Sequence, residues 1–283
     1  MTRCLPAKTT LIISSYNQPK SLSLVLEAIA RQTRQVDEII IADDGSQEPT
    51  FRVIENARQK FHLPISAVIT QEDAGFRKAV AFNRAVLKST GQQLLFLDGD
   101  VIPPPHWAER HIAAYRPMSY GVGSYMRLDL ETSKEIAAGG IGQFSWPAFN
   151  RRARRDRTLI MRSLKAQFYI LLRKPDRPKV WGGNLSVDRG LLYAVNGFDE
   201  RYCGHSGEDS DLRNRMNNYG ARPVSLFYST MALHLNHGLD REVPASGSSL
   251  LRNPTGMSVY QGSKRNLWAV EGLTLRMMAD KSA

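Results

Sequence analysis

The stretch from Leu94 to Trp107 reads LLFLDGDVIPPPHW, an oily run that ends in two aspartates, Asp98 and Asp100, around the single Gly99. Carboxylates are hard oxygen donors. A pair of them at the end of a buried strand suits a divalent cation that in turn grips a diphosphate. Asp-Gly is also an ordinary turn pair, so the motif alone does not decide. GEDSD, from Gly207 to Asp211, opens a helix with acids. The first turn of a helix stabilises negative charge, and plain acidic capping is the competing explanation. HLNH sets His234 and His237 three residues apart near a strand end, a spacing that brings two imidazoles toward one metal. The strand-end carboxylate pair and the two histidines together fit a divalent cation that binds a phosphorylated ligand.

These groups need a frame, and the first hundred residues alternate strand and helix. Strands are expected over Thr9 to Asn17, Asp37 to Ser46 (running into a turn), Pro64 to Thr70 and Gln93 to Asp100. Helices are expected from Pro19 to Ala30, from Pro49 to Lys60 and within Gly75 to Thr90, where apolar residues recur at helical spacing. Such alternation predicts an α/β fold, a Rossmann-like, doubly wound, mostly parallel sheet with ligands at the carboxyl ends of its strands. The polar clusters SSYN, ADDGS and DGD fall there.

The set SYN … ADDGS … GFRKAVAFNRA … LLFLDGD resembles the family-2 glycosyltransferases of the GT-A fold. The later block WGGNLSVDRGLLYAVNGFDERYCGHSGEDSDLRNRM is similar to the carboxyl half of the β-1,4-galactosyltransferases. The two matches cover roughly residues 9–110 and 180–240. The resemblance implies a UDP-sugar donor, Mn²⁺ or Mg²⁺, and inversion at the anomeric carbon. It assigns Ser15, Tyr16, Asn17, Asp43, Asp44 and Arg77 to the nucleotide, with the two aspartates at uracil and ribose. Asp98, Gly99, Asp100, Gly182 and Gly183 go to the sugar-diphosphate side. Asp100 becomes the direct metal ligand, joined by His234 and His237. Asp209 becomes the catalytic base, and Glu208 binds acceptor or orients that base. His205, Glu208 and Asp211 are assigned to the acceptor.

The sequence departs from the galactosyltransferases at three places. His205 stands where they carry a tryptophan that closes over the substrates, and Cys203 replaces an aromatic. Val180 replaces a tyrosine that crowds the sugar's C2 substituent, so an N-acetylated sugar is expected to fit.

The chain has 283 residues, enough for one large domain, and its 42% hydrophobic content excludes a disordered protein. Cys4 and Cys203 form no disulfide framework, which points to a reducing compartment. No signal-peptide pattern and no spanning apolar run is present, so a cytoplasmic location is expected. Of the net charge of +11, nine units lie between Asn150 and Lys179, where eleven Lys or Arg face two Asp. Residues 117–178 are read as a basic insertion. Its helical part, Thr158 to Leu172, suits an anionic membrane surface; the alternative is a helix packed on the domain with a solvated rim. Nucleic acid is disfavoured, because basic and aromatic residues do not interleave. Residues 1–240 are taken as the GT-A domain and 241–283 as a flexible tail. The partners expected are a nucleotide sugar and a glycan or lipid-linked acceptor such as lipopolysaccharide or capsule. A sugar-phosphate nucleotidyltransferase and a non-catalytic lectin-like or membrane-docking protein are the competing readings; the first lacks its Gly-rich, basic N-terminal loop.

Overall fold

Residues 5–204, 207–240 and 267–279 are described by a computed structural model. β1 (Thr9–Ser15), β2 (Glu38–Asp43), β3 (Ile65–Ile69) and β4 (Gln93–Asp98) run parallel, with α1 (Pro19–Ala30), α2 (Glu48–Phe61) and α3 (Lys78–Lys88) between them. The expected alternation therefore holds element by element. β6 (Ser119–Val122), β8 (Asn184–Asp188) and β9 (Arg222–Ser225) complete a seven-stranded sheet of order β3-β2-β1-β4-β8-β6-β9. β8 lies antiparallel to both its neighbours. A small second sheet joins β5 (Val101–Ile102), β10 (Ala232–His234) and β7 (Tyr125–Arg127).

The alternation of side chains along buried strands builds two cores. Leu11, Ile13, Ile39, Ile41, Leu95 and Leu97 face α1 and α2. Ile12, Ile40, Leu94 and Phe96 face the other side, where Phe82, Phe96 and Phe198 meet at centroid distances of 5.1–5.4 Å. Truncating such a buried ring costs about 3–5 kcal/mol.

Register is what positions the site. Ser15 lies opposite Asp43, and Ser14 opposite Asp98, so β1, β2 and β4 end level. Leu97 lies opposite Asn184, which brings the two glycines before β8 against the end of β4.

Two boundaries need correction. The expected insertion over 117–178 does not begin at 117, because Ser119–Val122 is a sheet strand and Tyr125–Arg127 pairs with β10. Both strands are too short for their alternation to stand out. What remains helical is α5 (Leu130–Gly139), α6 (Trp146–Arg155) and α7 (Arg157–Leu171), the last capped by Asp156. The tail is also not uniformly loose. Residues 241–266 lie outside the described residues. After α8 (Arg189–Ala194) and α9 (Glu208–Asn218), however, α10 (Leu273–Ala279) docks on the domain. Leu273 is buried in the second core, and Arg276 pairs with Glu200 at 2.6 Å. The Ser, Gly and Pro content of the tail masked this short helix. No helix among the described residues is long and apolar enough to cross a membrane.

Candidate active site

Asp98 and Asp100, two residues apart, meet different cations. Lys78 Nζ lies 2.6 Å from Asp98 Oδ1, and Ser14 Oγ donates to the same oxygen at 2.9 Å. Burial works against the Lys78 charge, but Asp98, backed by Asp209 and Glu208, holds the ammonium protonated far above the usual lysine range. Asp98 is thus neutralised by the protein itself. Of the two carboxylates only Asp100 lies, among the described residues, in a cluster of potential metal ligands, so the expectation that one cation serves both does not hold for Asp98. Gly99 also has a packing role: a Cβ there would lie 2.5 Å from the Ser14 carbonyl oxygen.

Asp100 turns the other way, toward β10. The Leu235 N–H donates to the Asp100 carbonyl at 2.9 Å, which pins the two segments together. His237 Nδ1 is 3.2 Å and His234 Nε2 is 4.0 Å from Asp100 Oδ2. The three ligand atoms lie within 4.8 Å of one another. His234 Nδ1 is 2.8 Å from the Leu235 carbonyl oxygen, which only accepts, so the proton is on Nδ1. That leaves Nε2 facing the Asp100 carboxylate, so Asp100, His234 and His237 present one compact set of oxygen and nitrogen donors, of the kind that holds a divalent cation. His237 sits in a one-turn 3₁₀ helix, His237–Asp240, whose Asp240 carboxylate accepts the Lys20 N–H at 2.8 Å at the start of α1. Burial raises Asp100, but the hydrogen bond from His237 and the charges of both histidines outweigh it and hold the carboxyl below its usual range. In turn that hydrogen bond to Asp100 raises His237.

Asp209 lies in the first turn of α9, just past Gly207, whose φ of +93° is a left-handed conformation that favours glycine. The Gly182 N–H donates to Asp209 Oδ2 at 2.8 Å. Oδ1 is buried with no hydrogen-bond partner. A Cβ on Gly182 would lie 2.1 Å from that oxygen, and one on Gly183 would lie 2.3 Å from Asp98 Oδ2. The glycine pair is therefore the space into which the two carboxylates fit. Burial raises Asp209 above its usual range, and the Asp98 charge adds to this against Lys78. Burial, then the neighbouring Asp209, pushes Glu208 up to about 7.

The residues assigned to a nucleotide lie at the ends of β1 and β2 and, for Arg77, at the start of α3, with part of their bonding spent on the loops. Asp43 Oδ2 accepts the Gly45 and Ser46 N–H groups and the Thr70 hydroxyl. Asp44 accepts the Arg77 N–H at 2.7 Å and the Gln71 side-chain amide, and burial raises it to about 6. The Asn17 N–H donates to Ser46 Oγ, its Oδ1 accepts from the Gln47 N–H, and the Tyr16 hydroxyl donates to Asp73 at 3.2 Å. Ser15 Oγ, Asn17 Nδ2, Asp43 Oδ1 and Arg77 Nε are left buried without partners. Buried polar atoms are nearly always satisfied, so four orphans at one sheet edge mark a place where a polar ligand completes the bonding.

Three assignments fare differently. Asp211 is not an acceptor residue: it is fully buried and paired with Arg215 at 2.6 Å, whose Nη1 in turn donates to the Val195 and Gly197 carbonyls. Helix periodicity explains this, since Asp211 and Arg215 are one turn apart on the inner face of α9. His205 lies outside the described residues. Val180 is 3% exposed and belongs to the second core, so it opens no room beside a donor sugar, and the argument for N-acetyl acceptance from this position fails.

Lys78, Ser14, Tyr125 and Trp181 belong to the site although the sequence motifs did not single them out. Lys78 carried a readable signal, because a cation in the first turn of a helix opposes the helix dipole and so calls for an acidic partner. Tyr125 packs on Trp181 at 4.7 Å and on His234 at 4.9 Å, and Lys179 lies 4.0 Å over the Trp181 ring. Nothing in the short β7 announced this.

The pattern "Glycosyl transferase family 2" matches residues 10–172, more than half of the chain. The chain belongs to glycosyl transferase family 2. A second pattern, "N-terminal domain of galactosyltransferase", matches residues 162–236, so the later part of this family-2 chain is galactosyltransferase-like. Validoxylamine A glucosyltransferase of Streptomyces hygroscopicus subsp. jinggangensis is 26% identical over 263 residues, 86% of this chain and 58% of that protein. Hyaluronan synthase of Pasteurella multocida is 23% identical over 236 residues, 75% of this chain and 23% of that protein. The family-2 chain thus corresponds to only part of each relative. Among solved structures, GalNAc-T7 with UDP, GalNAc and Mn²⁺ aligns at a TM-score of 0.58 and 14% identity, covering 83% of this chain and 45% of that one. A mannosyltransferase from Pyrobaculum calidifontis with GDP-Man and Mn²⁺ aligns at 0.54 and 18% identity, covering 81% and 57%. These likenesses establish the GT-A fold. The nucleotidyltransferase reading is set aside.

Proposed function

We propose that this chain is an inverting, metal-dependent transferase that moves a hexose, Gal, GalNAc or a relative, from a UDP-sugar to a hydroxyl of a cell-surface or lipid-linked saccharide. The observation that carries this reading is Asp209. One of its oxygens is fixed by the Gly182 N–H, and the other is buried, unpartnered and raised in basicity. An acceptor hydroxyl is a weak nucleophile, and a carboxylate held so can take its proton as the new bond forms. The acceptor oxygen bonds to the anomeric carbon, the bond from that carbon to the β-phosphate oxygen breaks, and its electron pair leaves with UDP. A single displacement inverts the centre.

Asp100, His234 and His237 would hold the metal, and their mixed oxygen and nitrogen donors favour Mn²⁺ over Mg²⁺. A divalent cation there supplies charge stabilisation to the departing diphosphate. Lys78 holds Asp98 in place beside Gly183, at the edge of the same site. Asp43 Oδ1, Asn17 Nδ2, Ser15 Oγ and Arg77 Nε are the groups left to meet the nucleotide. Trp181 and Tyr125 offer ring faces at the acceptor edge, and Glu208 stands beside the base. The GalNAc-T7 and Pyrobaculum structures hold nucleotide or nucleotide sugar with Mn²⁺, which supports the donor class and the metal. The similarity to hyaluronan synthase supports a saccharide acceptor. A peripheral position on the cytosolic face of a membrane belongs to the same reading.

The test is a panel of nucleotide sugars incubated with the protein and Mn²⁺, scored for free UDP. Release from one UDP-hexose supports the reading. Release from none, with intact folding, would return the chain to the non-catalytic class.

A further inference from the structure

α6 and α7 follow one another through the single residue Asp156 and pack beside β9 and Met126 of β7. Leu159 and Ala153 pack with Met231, against Met126 of β7 and Phe149. Leu159, Ser163 and Ala166 form the buried side of α7. The opposite side is apolar and open. Met161, Leu164, Phe168 and Leu171 are 51%, 52%, 56% and 79% exposed, and Leu172 continues the row past the helix end. Spacings of three, four and three residues put them in one stripe about 100° wide. Four large apolar side chains aligned on one solvent-facing stripe are not the scattered exposure of an ordinary surface.

Charge decides what covers the stripe. Arg162 and Lys165 border one long side of it, Arg157 stands at its amino end, and Arg173 and Lys174 follow its carboxyl end, all exposed. Asp156 is half-buried at the amino end, where it caps α7. A second protein surface would have to match an apolar row and a basic border together. An anionic bilayer offers both, with acyl chains below and acidic headgroups at the rim.

We infer that α7 is an in-plane anchor for an anionic phospholipid surface, with its stripe in the acyl boundary and its basic flanks among the headgroups. This rests on the peripheral location proposed above, and not on the transfer chemistry. The packed side of the two helices, through Ala153 and Leu159, touches Met126 and Met231, next to Tyr125 and beside the strand that carries His234. Arg162 and Arg177 reach close enough to Lys179 to disfavour its charge, after burial.

The experiment is sedimentation of the full chain with phosphatidylcholine vesicles, with and without phosphatidylglycerol. Binding should rise at least about tenfold with phosphatidylglycerol and fall with added salt, as screened surface charge requires. Leu164→Gln with Phe168→Gln, and separately Arg157→Gln with Lys165→Gln, should each lower it about tenfold at unchanged melting temperature. Lipid-free UDP release should not change in either variant. No binding to either vesicle, equal binding to both, or unaltered binding by the Leu164/Phe168 variant overturns the inference. So does a chain that runs as a dimer and becomes a monomer on Phe168→Gln without lipid. Vesicle binding needs no turnover, so failure here and failure of the transfer reading are separate results.

Discussion

The Gly182 N–H sits 2.8 Å from Asp209 Oδ2, and the same glycine has no room for a side chain on account of the other Asp209 oxygen. One residue thus both orients the Asp209 carboxylate, the proposed base, and makes space for it. Gly182→Ala should displace the carboxylate and lower transfer by about 10²-fold, the cost of misplacing a reacting group by about 1 Å. UDP binding, measured by calorimetry, should survive. Wild-type transfer in this variant would remove the packing role.

Asp209→Asn keeps the shape and loses the proton acceptor. Transfer should fall by at least about 10²-fold with donor affinity retained. Near-normal transfer would exclude Asp209 as the base.

Activity should also report the raised acidity constants. A base works when ionised, so transfer should fall as pH drops through a value well above the usual carboxylate range. Asp209 and Glu208 titrate as a pair, so the profile belongs to both. Lys78 holds the Asp209 carboxyl down, so Lys78→Met should move the acid limb to higher pH. The same change should cost about 3 kcal/mol of stability, the low end for stripping one partner from a buried ion pair. An unmoved limb in the folded variant would sever Lys78 from the base.

Metal binding is measurable without turnover. Mn²⁺ affinity should weaken about tenfold or more in His234→Ala and His237→Ala. It should weaken as pH falls, because a proton on His237, favoured by Asp100, competes with the ion. Chelation should abolish transfer, and Mn²⁺ should restore it best. Full activity in EDTA would rule the metal out.

The strand ends, the order of elements and the groups at Asp100, Asp209 and the two histidines were legible in the sequence because each follows from local pattern: a buried run, a turn, an acidic helix start. Asp211 was misread because the acidic cluster does not show which of its members turns into the core, where Asp211 meets Arg215 one helix turn on. Val180 was misread because its position relative to the sugar depends on which way its side chain turns. β6 and β7 escaped because four and three residues are too few for a period of two to declare itself.

The central claim is that Asp209 takes a proton from an acceptor while a UDP-sugar, held at the metal site of Asp100, loses its sugar. Its most direct measurement is UDP formation from a UDP-hexose in Mn²⁺, in parallel for wild type, Asp209→Asn and Asp100→Asn, with and without a saccharide acceptor. The account predicts acceptor-stimulated UDP release in wild type alone, with donor still bound by Asp209→Asn and metal affinity reduced in Asp100→Asn. Equal UDP release by wild type and Asp209→Asn, or release of pyrophosphate in place of UDP, would contradict it.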